Sequence, residues 1–343
     1  MQITKFTASL LAAAVLAGCG GDNTPHFSSM VTFGDSLSDV GSYAVGNIKT
    51  LGGGKFTVNA PDAQNWTEVM ANRLHALAQC AAQTGLEGDA ALGYAAPITN
   101  HPNCTNYAQG GARVTNPIGS GNKATGTASP VRGMTVPVVT QIQNHLAKNN
   151  GSFNGSEIVF VHAGGNDVGA ALVSLAAGTA PATVLTAVGT AGAELAGYVK
   201  NQIVGKGAKY VVVINVPDVS KFPFGLVQSA QAQGLMNTLV TTFNAQLQAG
   251  LAGTDVVQVD FYSISRDQAA NPAKYGITSA TTPACDLSPA KNPLGHVLVC
   301  TKANVIPGAI DNLLFADAGH YTPFGYKLMA DMVSAELAKR DLM

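Results

Sequence analysis

Apolar residues in this chain follow two periods. Short apolar runs recur at Met30-Val31-Thr32-Phe33, Ile158-Val159-Phe160-Val161 and Tyr210-Val211-Val212-Val213-Ile214, and Val256-Val257-Gln258-Val259-Asp260 reads as a further strand. Runs so rich in β-branched residues, with little polar alternation, are the mark of strands buried on both faces of a parallel sheet. Between them the period changes to that of a helix. Trp66, Val69, Met70, Leu74 and Leu77 predict a helix over 66–79, with Trp66 in the core. Val138, Val139, Ile142 and Leu146 predict another over 136–147 with Pro137 at its start. Ala-rich segments at 168–177 and 184–204, an amphipathic stretch at 226–251 and a closing helix at 322–339 complete the set. Strands alternating with helices predict an α/β fold, a three-layer α/β/α sandwich around a mostly parallel sheet.

Loops fill the remainder. Residues 39–61 are Gly-rich and polar and long enough to shape a substrate mouth, residues 81–105 show little periodicity, 106–111 read as a loop, and 271–312 form a Pro-rich insertion. No period of 20 to 50 residues recurs, which excludes a repeat architecture. No long polar linker follows residue 29, so residues 30–343 are expected to form one domain with loop insertions.

The first apolar run ends in Gly34-Asp35-Ser36-Leu37-Ser38-Asp39. A glycine there lets the chain bend at the strand's C-terminal end, where open α/β sheets bind ligands. Ser36 is therefore a candidate nucleophile, although a serine after a strand is as readily a turn or cap residue. A hydroxyl becomes a nucleophile only when a base takes its proton, and histidine is best matched to neutral pH. Of the seven histidines only His320 has a carboxylate at a useful offset, Asp317 three residues earlier. Neutral imidazole is the working form, so activity is expected to fall below about pH 6. Gly-x-Ser-x-Gly occurs nowhere, which argues against the usual α/β-hydrolase elbow.

Four segments, Gly34-Asp35-Ser36-Leu37, Asn106-Tyr107-Ala108-Gln109-Gly110-Gly111, Gly164-Gly165-Asn166-Asp167 and Asp317-Ala318-Gly319-His320, stand in an order that resembles the SGNH (GDSL) hydrolase family. The resemblance spans residues 34 to 320. It implies the flavodoxin-like SGNH hydrolase fold and a triad of Ser36, His320 and Asp317. It also implies an oxyanion hole from the Ser36 backbone N–H, a backbone N–H of the Gly110-Gly111 pair, where Gly111 matches the block, and the Asn166 side chain. Asp35 and Asp167 are expected to support their turns and His162 to be a packed residue. The activity implied is hydrolysis of carboxylic esters, lipids or phospholipids included, through an acyl-enzyme and without a cofactor. Acyl transfer to an alcohol, deacetylation of glycans, or a surface-binding lipoprotein without catalysis are the alternatives.

Composition and the N-terminus add a compartment. Hydrophobic residues make up 46% of the chain, ample for a core, while charged residues are only 11%, which suits an extracytoplasmic protein. With 19 Lys and Arg against 20 Asp and Glu there is no positive excess to meet phosphates, so nucleic acid is not an expected partner. Lys5 and the apolar run Phe6 to Leu16 form a secretion signal too short to span a bilayer. Leu16-Ala17-Gly18-Cys19 resembles a lipobox, with residues 1–18 removed, Cys19 lipidated and 19–29 a tether. The absence of Asp after Cys19 favours, by resemblance to bacterial sorting rules, the outer membrane, so the protein is expected to be an outer-membrane lipoprotein or a periplasmic or secreted protein of a Gram-negative bacterium. Cys80, Cys104, Cys285 and Cys300 remain, with three possible connectivities. Pairing of near neighbours, Cys80 with Cys104 and Cys285 with Cys300, is expected, each bond worth roughly 3 kcal/mol. No metal-ligand spacing accompanies them.

Overall fold

The computed structural model describes residues 24–126, 129–307 and 312–343. The expected signal segment, Cys19 and the first residues of the tether lie outside the described residues. In chain order the strands are β1 (Met30–Gly34), β2 (Gln83–Glu87), β3 (Ala95–Asn100), β4 (Ile158–His162), β5 (Tyr210–Ile214) and β6 (Val257–Val259). The helices are α1 (Gly46–Thr50), α2 (Trp66–Arg73), α3 (Val138–Lys148), α4 (Gly165–Ala176), α5 (Pro181–Tyr198), α6 (Pro223–Leu226), α7 (Ala230–Leu251), α8 (Phe261–Ala270) and α9 (Pro323–Ala338). Strands β1, β4, β5 and β6 form one parallel sheet in the order β1-β4-β5-β6. Its apolar runs alternate between two cores. Val31, Phe33, Val159, Val161, Val211 and Val213 pack with residues of α3, α4, α5 and α7, while Ile158, Phe160, Val212, Ile214, Val257 and Val259 pack with α2 and α9. This period of two within runs that read as continuously apolar is what sheathing on both faces requires. Each fully buried Val, Ile or Phe gains roughly 1.5–3 kcal/mol from burial, before the chain's entropy is counted. The α/β/α sandwich expected from the sequence is the fold observed.

Register decides where a site can form. Gly34 lies opposite His162, His162 opposite Ile214, and Ile214 opposite Val259, so the C-terminal ends of all four strands line up. The loops that follow them open on a common edge.

Several boundaries differ from the sequence reading. Helix α2 stops at Arg73 because His75 takes a left-handed φ of 52° and Ala76 N–H reaches back to Ala71 C=O (2.9 Å), a Schellman closure that leaves Leu77 79% exposed. The predicted helix over 226–251 is two: α6 ends at Leu226, and Ser229 caps α7 by accepting from Ala232 N–H. The stretch to residue 204 continues beyond α5 as a π turn over Val199–Ile203. Residues 81–105 hold the hairpin of β2 and β3, invisible to periodicity because nearly every residue of β3 faces solvent. Of the tether expected over 19–29, the last residues are part of the packed domain. Phe27 is buried edge-on against Tyr210 (5.2 Å between centroids), and Ser28 N–H donates to Ser156 C=O (2.9 Å).

The insertions are not loose. Tyr43, Phe56, Val58, Leu298, Val299 and Ala316 share a third core with both cysteines of the second disulfide. Among the described residues disulfides join Cys80 to Cys104 and Cys285 to Cys300, the near-neighbour pairing. The second lies against the chain before His320, where Cys285 N–H donates to Ala316 C=O (2.8 Å). Among the described residues no helix is long and apolar enough to cross a membrane.

Candidate active site

Gly34 closes β1 in extended pairing, and a Cβ there would sit 2.4 Å from the His162 carbonyl oxygen of β4. Glycine is needed for the close approach of two strands, rather than for the bend the sequence suggested. Gln141 of α3 brackets the same residue, its Oε1 accepting from Gly34 N–H (2.9 Å) and its Nε2 donating to Gly34 C=O (2.8 Å). With the strand end fixed, the chain turns. Asp35 is buried and its Oδ1 accepts from Leu37 N–H (3.1 Å), while Ser38 N–H donates to Asp35 C=O (3.0 Å). Burial pushes the Asp35 carboxyl up, against the pull of His162, the Leu37 N–H and His320. Ser36 stands at the turn, partly exposed, and its N–H has no acceptor among the described residues.

The hydroxyl of Ser36 meets His320. Ser36 Oγ and His320 Nε2 are 3.0 Å apart, and His320 Nδ1 is 3.0 Å from both Oδ1 and Oδ2 of Asp317. An ionised carboxylate only accepts, so Nδ1 carries the hydrogen and Nε2 is left to accept from the Ser36 hydroxyl. Asp317 Oδ1 also accepts from the backbone N–H groups of Gly319 (2.8 Å) and His320 (2.6 Å). Those two bonds close a tight turn, which is how a separation of three residues brings carboxylate to imidazole. Burial acts to raise the Asp317 carboxyl, but the His320 charge and these hydrogen bonds outweigh it and hold it below its ordinary value. For His320 burial disfavours the charged ring, yet the Asp317 carboxylate, its hydrogen bond and Asp35 prevail, and the net shift is upward from 6.5. Phe56, from the third core, lies against the imidazole with ring centroids 5.0 Å apart.

A second pair of loops borders the serine turn. Asp39, buried, accepts from the N–H groups of Gly41 (2.8 Å), Ser42 (2.7 Å) and Gly110 (2.9 Å). The Gly110 N–H is thereby committed, whereas the next N–H, that of Gly111, has no acceptor among the described residues. Gly111 has a φ of 79°, and a Cβ on it would lie 2.0 Å from the Ser120 carbonyl oxygen. Asn166, in the first turn of α4, donates from Nδ2 to Ala112 C=O (3.0 Å), which leaves one amide hydrogen over. Asp167 accepts from Arg113 Nε (3.0 Å) and Val114 N–H (3.0 Å), fastening the α4 turn to the glycine loop. His162 is buried with Nδ1 3.2 Å from Ile214 C=O, a packed residue.

Three open donors beside a serine paired with a His–Asp couple can meet an oxygen that gains negative charge at a carbon under attack. Sequence reading did not find the supports of this arrangement. Gln141 left one trace, a polar residue on the buried face that α3 shares with Val138, Ile142 and His145. Asp39 sat inside the first motif without a role, and Phe56 in a loop left no trace at all.

The chain resembles, at the level of whole structures, a lipolytic protein of the G-D-S-L family from Veillonella parvula (15% identity, covering 90% of this chain and 96% of that one, TM-score 0.41). It also resembles the lipase Lip_vut3 from a goat rumen metagenome (12%, 90% and 96%, 0.42) and an extracellular lipase from Streptomyces rimosus (14%, 90% and 99%, 0.44). Likenesses this distant say nothing about substrate. No curated protein matches the sequence. The profile described as GDSL-like Lipase/Acylhydrolase matches residues 30–333, from the first residue of β1 into α9. With nearly the whole described domain inside that match, the chain belongs to the GDSL-like lipase/acylhydrolase family.

Proposed function

We propose that the protein is a serine esterase that hydrolyses carboxylic esters, lipid and phospholipid esters among them, through an acyl-enzyme on Ser36. The observation that carries this reading is the single imidazole placed between the Ser36 hydroxyl and the Asp317 carboxylate, 3.0 Å from each. Ser36 Oγ attacks the ester carbonyl while His320 Nε2 takes its proton, and Asp317 keeps the other ring nitrogen protonated. Charge building on the carbonyl oxygen is met by the N–H groups of Ser36 and Gly111 and the Asn166 amide. His320 then returns the proton to the leaving alkoxide, and water, activated by the same ring, releases the acid from Ser36.

Family membership supports ester chemistry in general. The acyl-enzyme and the residue roles rest on the hydrogen bonds described above. Ser36→Ala tests them directly. The variant is expected to lose hydrolysis of a short p-nitrophenyl ester and labelling by a fluorophosphonate while keeping its melting temperature, since a small, partly exposed hydroxyl is all that is removed. Retained turnover removes Ser36 from the reaction. The lipobox-like segment ending at Cys19 supports a second part of the reading, export and anchorage to the outer membrane by a lipid on that cysteine.

A further inference from the structure

Resting on the esterase reading above, one histidine that the catalytic steps leave unused has the features of a substrate contact. His296 belongs to the insertion closed by Cys285–Cys300, and its loop is braced by Asn292, whose Nδ2 donates to His296 C=O (2.9 Å). His296 Nδ1 lies 3.1 Å from Leu298 N–H and accepts from it. A ring nitrogen that accepts from a backbone N–H carries no hydrogen, so the neutral ring carries its hydrogen on Nε2. Burial, with the neighbouring His320 adding to it, pulls the His296 pKa down to about 4, which favours the uncharged ring near neutral pH. Nε2 has no protein acceptor among the described residues, yet it is not one of their sealed, unpartnered polar atoms, and the residue is partly exposed. The result is a fixed, uncharged donor with an unused hydrogen.

Its position narrows what it meets. The His296 ring packs edge-on against Phe56 (6.1 Å between centroids), whose ring lies against His320 (5.0 Å), and His296 is within electrostatic reach of both His320 and Asp317. In serine ester hydrolysis the leaving oxygen must sit beside the histidine that protonates it, while the carbonyl oxygen sits at the oxyanion donors. Phe56 links His296 to the His320 ring and also borders Gly110, whereas the oxyanion donors themselves are the Ser36 and Gly111 N–H groups and the Asn166 amide.

We propose that His296 is a specificity residue whose Nε2–H donates to an acceptor oxygen in the alcohol portion of the ester, so that the preferred substrates are esters of oxygen-rich alcohols. Glycerol, glycol ethers and sugars carry such an oxygen near the scissile bond; simple alkanols do not. A fixed neutral donor suits an uncharged ether or hydroxyl oxygen.

The test compares 2-methoxyethyl butyrate with n-butyl butyrate, alcohols of equal length of which only the first has an acceptor near the ester, each rate divided by its hydroxide-catalysed rate. Wild-type enzyme is expected to favour the methoxyethyl ester in kcat/KM by about five- to tenfold, the yield of one neutral hydrogen bond. His296→Asn keeps an acceptor for Leu298 N–H but withdraws the Nε2 donor, and is expected to bring the ratio to about one. His296→Gln, which extends an amide donor to the Nε2 position, is expected to restore part of it. A wild-type ratio near one overturns the proposal without need of any variant. A ratio unchanged in His296→Asn overturns it as well, as does an equal loss on both esters. Failure of wild-type enzyme to hydrolyse either ester, or a p-nitrophenyl ester, instead overturns the esterase reading beneath it.

Discussion

Replacing Asp317 by Asn is the exchange that most directly probes how the site works. Both carboxylate oxygens lie 3.0 Å from His320 Nδ1, and Oδ1 also takes two backbone N–H groups. The amide oxygen of Asn keeps those backbone bonds, so the turn should hold, while its NH₂ faces Nδ1 as a donor. His320 must then present a bare Nδ1 to the amide and a protonated Nε2 to Ser36, which leaves the serine without a base. An exchange of this kind costs about 10⁴ in kcat, or about 5 kcal/mol of activation free energy. The same exchange predicts a second effect. Chiefly the Asp317 carboxylate, with Asp35 adding to it, outweighs the burial of the His320 ring and raises it from 6.5, so the acid limb of wild-type activity is expected above about pH 6.5, higher than the limb at about pH 6 expected from sequence. Without the carboxylate, burial dominates and the limb of the residual activity moves to lower pH. Stability follows the same pair. The raised His320 contributes below its unfolded pKa and loses its contribution as pH rises through the folded value. The lowered Asp317 contributes above its unfolded pKa and loses its contribution as pH falls through the folded value. Wild type should therefore gain most over Asp317→Asn between about pH 4 and pH 6.5. The assay is kcat and kcat/KM for p-nitrophenyl butyrate from pH 4 to 9, with melting temperatures over the same range. A loss below tenfold, or an acid limb that stays in place, refutes the coupling between Asp317 and His320.

Two further outcomes are expected. Asn166→Ala removes one oxyanion donor and its anchor on Ala112 C=O (3.0 Å), and should lower kcat by roughly a hundred- to a thousandfold while KM changes little; a drop below tenfold removes Asn166 from the oxyanion hole. Cys19→Ser, expressed with its full N-terminus, should shift the protein from the membrane fraction to the soluble fraction and abolish incorporation of labelled palmitate, and unchanged fractionation ends the lipid-anchor reading.

Local pattern determined much of this protein. Strands β1, β4 and β5 are apolar runs because a strand sheathed by helices on both faces has no solvent-facing position to encode, and that condition is written residue by residue in Met30–Gly34, Ile158–His162 and Tyr210–Ile214. Ser36, His320 and Asp317 were legible as chemistry because each lies in a short motif, two of them three residues apart. What tertiary structure decided were matters of which group another group consumes. Two adjacent glycine N–H groups look alike in sequence, and only the fold shows that Asp39 takes one and leaves the other open. The β2–β3 hairpin gave no periodic signal because its outer strand faces water, and the end of α2 at Arg73 depends on a left-handed His75 that no apolar spacing encodes. Phe56 against His320, Gln141 around Gly34 and His296 beside the Asp317–His320 couple come from segments far apart in sequence. Contacts of that kind depend on how the sheet register and the packed insertions bring distant side chains together, and spacing along the chain carries no record of it.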